Sequence, residues 1–563
     1  MITIGKQEIK RPAWTEGAVC AAIFALTLPL LYWFSRIDFD PHHTGLMLKT
    51  ALDVAGGKIL FAETFTQYGA LVAWIQALFV RLMGSSVTSI LFSTCLFYAL
   101  SYVLLYRVTR RFLSLPLSLL TTLVTLLMAP FYFWEFNPWS SVYALFFLLL
   151  SLLMLLGALE SETAWKRAVF APVSGLFVAL TFWCRQPAGI VAAVAGVLFF
   201  SVSAFYLRRE KDLCRRQLLH LLLFAVGLGV GFFLLLIPIF ATGAWSDFVA
   251  QSIKGMFSFA ADRADTEANG LLGAIGSLLL HLFIAPMQKT DELPVLNAIW
   301  TLLPLAVITL AVLTLCRMHR STKSGDTEGT LRLLPTLAYV LFAGCAWHQY
   351  YPVACYRHWY WGAFLCIPAV VMLLHELIAY LATREKCKWL REEKHRTAAF
   401  LAAIALVLAP NAVARGVYGA IKTADTAHMV KVENAHYDYL NGLYLDAEMA
   451  LYYNDLFDTV HSLRTQFPEK NVINLTGNGI YAVFGENFHP MFNNNEDFFY
   501  EDYPEVKDSY IAHARPIVIA PEAPREDYVL YHTISGDHGD PTAEYHNMPA
   551  YIYLPVELYE QVK

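Results

Sequence analysis

The chain has 563 residues, of which 57% are hydrophobic and only 15% charged. A soluble protein of this size carries roughly 25% charged residues, so the composition excludes an ordinary water-soluble enzyme and points to a polytopic membrane protein. The net charge of −5 conceals an asymmetry, because residues 416–563 hold 23 of the 46 acidic groups but 8 of the 41 basic ones.

Apolar runs long enough to cross a hydrocarbon core about 30 Å thick recur through the first 415 residues. They predict about eleven spans, near 13–34, 85–106, 113–130, 141–159, 168–184, 188–206, 218–241, 293–315, 333–347, 359–382 and 397–415. Lys and Arg resist translocation and so set orientation. The segments 1–12, 107–112, 160–167, 208–216, 316–332 and 384–396 carry 23 basic residues, against 9 on the opposite loops. The N-terminus is therefore expected in the cytoplasm and the C-terminal segment outside it. Counting the apolar run 271–287 as a further span would place a basic loop outside. It is expected instead as an interfacial or re-entrant helix within an external loop, 242–292. Nine cysteines lie between Cys20 and Cys387 with no CxxC spacing, which indicates neither a zinc site nor a disulfide scaffold.

The loop 35–84 after the first span opens with SRIDFDPHHTG, placing Asp38, Asp40, His42 and His43 within six residues. A carboxylate there suits a general base, and an Asp/His cluster suits a divalent ion, with Asp40 and His43 as the candidate ligands. A hydrated helix start is the plain alternative. Beyond it, Leu46 to Phe61 suggest short amphipathic helices separated by Gly56-Gly57.

Later external loops carry isolated charges among aromatics. Glu135 lies in FYFWEFNPWSS, Arg185 and Gln186 in CRQPAG, and His348, Arg357 and His358 in HQYYPVACYRHWYW. Tyr and Trp belong at membrane interfaces and need no other explanation. The external arginines oppose the positive-inside bias and need a partner at membrane depth. A phosphate bound bidentately is one such partner; an ion pair with Glu135 or Glu63 is the other. Loop 242–292, with Lys254, Asp262, Arg263, Asp265 and Glu267, fits either a mobile lid or a connector.

Past residue 415 a polar helix over 446–466 and short strands at 472–475, 516–521, 528–533 and 551–555 predict a small soluble α/β domain. Gly477 and Gly479 read as a tight turn, since GxG alone is weak evidence for a nucleotide site. His532, His538 and His546 lack ligand-like spacing and are expected in solvated loop. The acidic domain is a poor nucleic-acid binder. Intramembrane charges are nearly absent, which argues against an ion-coupled carrier.

Residues 38–84, with DFDPHHTG, ALDVAGGKILFAETFTQYGAL and VRLMG, resemble the first external loop of bacterial GT-C glycosyltransferases. Shared features are the acidic motif, an apolar helix ending in Gly, an aromatic-acid stretch and a Tyr-Gly pair opening the second span. The resemblance implies a transmembrane catalytic domain, 1–415, and an extracytoplasmic soluble domain, 416–563, in a bacterial inner membrane. It implies inverting transfer of a sugar from a polyprenyl-phosphate-linked donor to a glycan or lipid acceptor. Asp40 takes the place of the catalytic base, with Asp38 as understudy. Position and charge add His42, His43, Glu63, Tyr68, Glu135, Arg185, Gln186, His348, Arg357 and His358 as candidate substrate contacts. The acidic motif departs from the family in having Pro41 between Asp40 and His42, which leaves metal dependence open. A lipid-linked glycan translocase and a non-catalytic assembly scaffold are the competing readings.

Overall fold

A computed structural model describes residues 13–129, 136–255, 276, 277, 279–285, 294–351, 356–493, 500, 502–534 and 550–563. Its membrane part is all helix. Among the described residues, eight helices are long and apolar enough to cross a membrane, or up to ten if each of two bent pairs forms one span. The eight include α1 (Ala13–Ser35), α4 (Val87–Thr109), α6 (Ser140–Glu160) and α7 (Ala164–Cys184). They continue through α8 (Gln186–Tyr206), α9 (Lys211–Ala241), α11 (Pro294–Ser324) and α12 (Thr327–Trp347).

The bent pairs are Tyr356–Ala363 with Cys366–Leu381, at 54°, and Glu393–Val407 with Ala409–His428, at 55°. Pro368 and Pro410 fall within the first turn of the second helix of each pair, where a proline is tolerated but cannot continue a helix from behind. The expected span at 113–130 is α5 (Leu115–Leu127), whose 13 residues cover about 20 Å at 1.5 Å per residue. Most of 271–287, together with Asp262, Arg263, Asp265 and Glu267, lies outside the described residues.

Between α1 and α4 the chain forms two further helices, α2 (Pro41–Ala55) and α3 (Ala70–Met83). Asp40 caps α2 and Pro41 occupies its first turn, a pairing that presets the start of a helix. Only this one helix forms over Leu46–Phe61; after Gly56-Gly57 the chain turns, with a bridge between Leu60 and Thr64. Tyr68-Gly69 opens α3, not the second span itself.

Past Asp425 the described structure changes to small sheets. A two-stranded sheet pairs β1 (Met429–Lys431) with β2 (Tyr444–Asp446), followed by α17 (Ala447–Gln466). The four strands expected from sequence pair in one sheet, in the order β3 (Val472–Asn474), β4 (Ile517–Ala520), β6 (Tyr551–Pro555) and β5 (Tyr528–Thr533). The first pair is parallel and the others antiparallel.

This region sits on α2. A Cβ on Gly45 would lie 2.0 Å from the Ile480 backbone nitrogen, and one on Gly479 2.5 Å from the His42 carbonyl oxygen. Glycine is needed at both places because two backbones touch. The chain ahead of α2 is stitched on as well: Asp38 N donates to Tyr444 O at 2.9 Å, and Tyr444 N to Arg36 O at 2.8 Å. Asp38 adopts a left-handed φ of 62° to make this turn, a conformation Asp tolerates better than most residues.

A buried ion pair adds a second tie. Lys49 Nζ lies 2.9 Å from Asp53 Oδ1 and 2.8 Å from Gly485 O. Asp53 Oδ2 accepts from Thr64 Oγ1 at 2.9 Å and Asn487 Nδ2 at 2.8 Å. Burial pulls the Lys49 ammonium pKa down, and Asp53 only partly restores it.

Two outcomes follow. Gly45→Ala forces the backbones apart at a cost of about 3 kcal/mol or more, read as a lower melting temperature and faster proteolysis between 416 and 446. Lys49→Met leaves Asp53 buried without its main cation and costs about 3–5 kcal/mol. The double change Lys49→Met with Asp53→Leu recovers much of that loss in the same thermal assay.

Candidate active site

Asp40 stands where three distant segments meet. Its Oδ1 accepts the His43 backbone N–H at 3.0 Å, and its Oδ2 lies 2.7 Å from His43 Nδ1. Asn137 Nδ2 approaches the same Oδ2 at 3.3 Å, from the segment leading into α6. The Arg357 guanidinium reaches it at 3.7 Å, from α13 (Tyr356–Ala363). Asp40 is 8% exposed. Burial alone would raise its pKa; the charge and hydrogen bonds of His43, with Arg357 behind them, outweigh that and hold the carboxyl well below the usual carboxylate range.

Trp139 is the hub of the surrounding wall. Its ring lies 5.3 Å from His43, 5.2 Å from His358 and 5.0 Å from Trp361. Arg357 sits over its face at 5.7 Å, within the range of a cation–π contact. Gln76 of α3 donates to Pro138 O at 2.9 Å, so the helix after α2 also fixes the segment carrying Asn137 and Trp139. Asn137 Oδ1, Trp139 Nε1, Ser141 Oγ and Gln349 Oε1 are buried without a hydrogen-bond partner among the described residues. Of these, Asn137 contacts Asp40 and Trp139 contacts His43. A cleft between α2, α3 and the segment joining them is lined by Met47, Thr50, Thr66, Tyr68 and Gln76 among others.

The residues singled out from sequence divide accordingly. Asp40, His43, Arg357 and His358 come together around Trp139. Arg185, whose guanidinium is 3.4 Å from Ser140 Oγ, lies within electrostatic reach of His348 and His358. His348 also contacts the Cys345 carbonyl, and His358 the Gln349 carbonyl. Gln186 is buried and donates to Gln67 O at the far end of the cleft that Tyr68 lines.

Three others face elsewhere. His42 Nδ1 binds Gly477 O at 2.6 Å, on the C-terminal side of the α2 contact. The Asp38 carboxylate folds onto the Phe39 N–H at 2.8 Å. Glu63 Oε2 accepts from Ile59 N on an exposed turn, so the carboxylate paired with Arg357 is Asp40. Glu135 lies outside the described residues.

No group of three or more His, Cys, Asp or Glu side chains among the described residues could hold a metal ion. With a guanidinium already on Asp40, the Asp40–His43 donor set does not suit a divalent cation. His532 pairs with Asp455, at 2.9 Å, while His538 and His546 lie outside the described residues.

Asn137 and Trp139 were not foreseen. Trp139 reads in sequence as one more interfacial aromatic, and the only local signal was the polar Asn-Pro step inside an aromatic run.

Residues 69–232 match the family model of dolichyl-phosphate-mannose-protein mannosyltransferases. No curated protein matches the chain. Among solved structures, the apo oligosaccharyltransferase of Archaeoglobus fulgidus superposes with TM-score 0.50 at 12% identity, over 90% of this chain and 69% of that one. The same archaeal enzyme, AglB, in complex with an inhibitory peptide and a dolichol-phosphate gives 0.50 at 12% identity, over 90% and 70%. ArnT from Cupriavidus metallidurans bound to undecaprenyl phosphate is similar at TM-score 0.49 and 11% identity, over 96% and 97%.

Arg357→Ala should strip Asp40 of its guanidinium and raise its carboxyl pKa toward the ordinary range. Breaking a buried pair costs about 3–5 kcal/mol, visible as a lower melting temperature in detergent, while Arg357→Lys should lose less. The family match covers residues 69–232, and the chain shares its fold with the archaeal oligosaccharyltransferase.

Proposed function

We propose that the protein moves a sugar from a polyprenyl-phosphate-linked donor to a cell-envelope acceptor, on the outer face of a bacterial cytoplasmic membrane. The carrying observation is the buried Asp40 carboxylate, framed by His43, Asn137 and Arg357 and bordered by unpartnered polar atoms. The family matched by residues 69–232 is described by a dolichyl-phosphate-linked sugar donor, and the archaeal enzyme of like fold was solved with a dolichol-phosphate. Charge asymmetry of the loops supports a cytoplasmic N-terminus, with residues 1–415 as the membrane domain and 416–563 as the external one.

The reaction is a direct displacement with inversion. An acceptor hydroxyl attacks the anomeric carbon as the lipid phosphate leaves, and its proton passes to the Asp40–His43 pair. Arg357 and Arg185 meet the charge that builds on the departing phosphate. A phosphate is already a fair leaving group, so positioning and electrostatics carry most of the rate.

The test is deletion of the gene in its native host, complemented with wild type or Asp40→Asn at equal membrane level. Mass spectrometry of surface glycan and lipid-linked sugars should show one sugar missing and its donor accumulated in both the deletion and Asp40→Asn strains. The transfer rate should fall by about 100-fold or more. An unaltered glycan and lipid-linked pool in the deletion strain overturns the proposal.

A further inference from the structure

We propose that Arg36, at the end of α1 from which the first loop leaves, binds the phosphate of a membrane-lipid headgroup. This goes beyond the transfer reaction and uses none of the residues that contact Asp40.

The span Trp14–Ser35 ends one residue before Arg36, and Tyr32 and Trp33 belong to its last turn. Aromatic residues at the end of a span mark headgroup depth. The guanidinium carbon of Arg36 lies 4.8 Å from the centre of the Tyr32 ring and 5.7 Å from those of Trp33 and Tyr444. All three are within cation–π range. Each wall of this cage is itself held. Tyr32 meets Phe92 of α4 edge-on at 5.3 Å, and Trp33 meets Tyr444 at 5.5 Å. The Tyr444 backbone is fixed too, its N–H donating to Arg36 O at 2.8 Å and its strand pairing with Lys431.

Ring faces offset part of the charge but accept no N–H in the guanidinium plane, where five donors lie. Among the described residues, the Arg36 side chain makes no hydrogen bond and no ion pair, and its Nε is buried. Two plain roles are open to an arginine that follows a helix. It can complement the last carbonyls of that helix, or its head can snorkel into water. Here the side chain donates to none of those carbonyls, and three rings hold the head against the protein. Lys431, the charged neighbour on the strand, is paired with Glu433 at 2.6 Å, so that carboxylate is already engaged.

An arginine at membrane depth calls for an anion. A phosphate suits this one, because two of its oxygens accept parallel N–H bonds from one guanidinium edge. Arg36 is partly exposed, so such an edge is open to a ligand from outside. A headgroup phosphate is carried to this depth by its acyl chains, whereas a free phosphate must leave water to reach it. That difference favours the lipid.

The experiment uses the full-length protein in detergent, titrated with dioleoyl-phosphatidylglycerol or with dioleoylglycerol, which lacks the phosphate. Native mass spectrometry counts the lipids bound to wild type, Arg36→Gln and Arg36→Lys. Wild type should bind its first phosphatidylglycerol about 10-fold or more tightly than Arg36→Gln does. Arg36→Lys should lose several-fold, since an ammonium keeps the charge without the planar fork. Dioleoylglycerol should bind all three alike, and a large excess of inorganic phosphate should leave the bound lipid in place. Equal phosphatidylglycerol binding by wild type and Arg36→Gln overturns the assignment. So does an equal preference of wild type for dioleoylglycerol, and displacement by inorganic phosphate would give the cage to the free ion instead. If Arg36→Gln does not fold, Arg36→Lys decides by the same comparison.

Discussion

Two glycines placed backbone against backbone fix the position of everything chemical in this molecule. Gly45 on α2 and Gly479 on the turn after β3 leave no room for a methyl group between them. The start of α2 therefore cannot slide or rotate without lifting the C-terminal region. Asp40 caps that same helix, five residues before Gly45. A displacement of about 1 Å at a catalytic group can cost 100-fold in rate, so a contact of this kind has a direct catalytic consequence although neither glycine carries a functional group. The C-terminal region is thereby part of the scaffold that positions Asp40.

The electrostatics around Asp40 obey a second constraint. An arginine this deep in the structure requires an anion, and Asp40 supplies it at 3.7 Å. Arg185, near His348 and His358, extends the positive potential away from Asp40.

Much of this was legible in the sequence. Apolar runs located the membrane helices because lipid permits few alternatives to a helix, and short apolar runs located all four strands of the C-terminal sheet. The Asp40-Pro41-His42-His43 run contains the local half of the site, since a cap residue, a proline behind it and a side chain three positions on are sequence neighbours by construction. The non-local half was not legible. Asn137, Trp139 and Arg357 meet Asp40 only through packing of separate helices, and no spacing within the chain encodes that. His42, one residue from His43 and in ring contact with it, binds Gly477 O, a partner that no local spacing encodes. The two bends could have been suspected from Pro368 and Pro410, but a window that averages hydropathy passes over a break of one or two residues.

The same logic explains why the first loop is so apolar. Its polar groups are used inward, to join pieces of chain that sequence keeps apart. Gln251, fully buried, donates to Phe61 O at 2.7 Å and Tyr500 Oη at 3.0 Å, and accepts from Thr66 N at 3.1 Å. One side chain from the segment after α9 thus holds the first loop and the C-terminal region together. The Thr66–Tyr68 stretch it anchors lines the cleft against α2 and α3. Lys49 and Asp53 on one side and Gln251 on the other each hold a partner from the C-terminal region. Burying such groups is unfavourable unless all are satisfied together, so the first loop, the segment after α9 and the C-terminal region must dock as a set. A partly docked arrangement would leave several polar groups stranded at once, and that penalty keeps the carboxylate, the imidazole and the guanidinium in a single geometry before any substrate arrives.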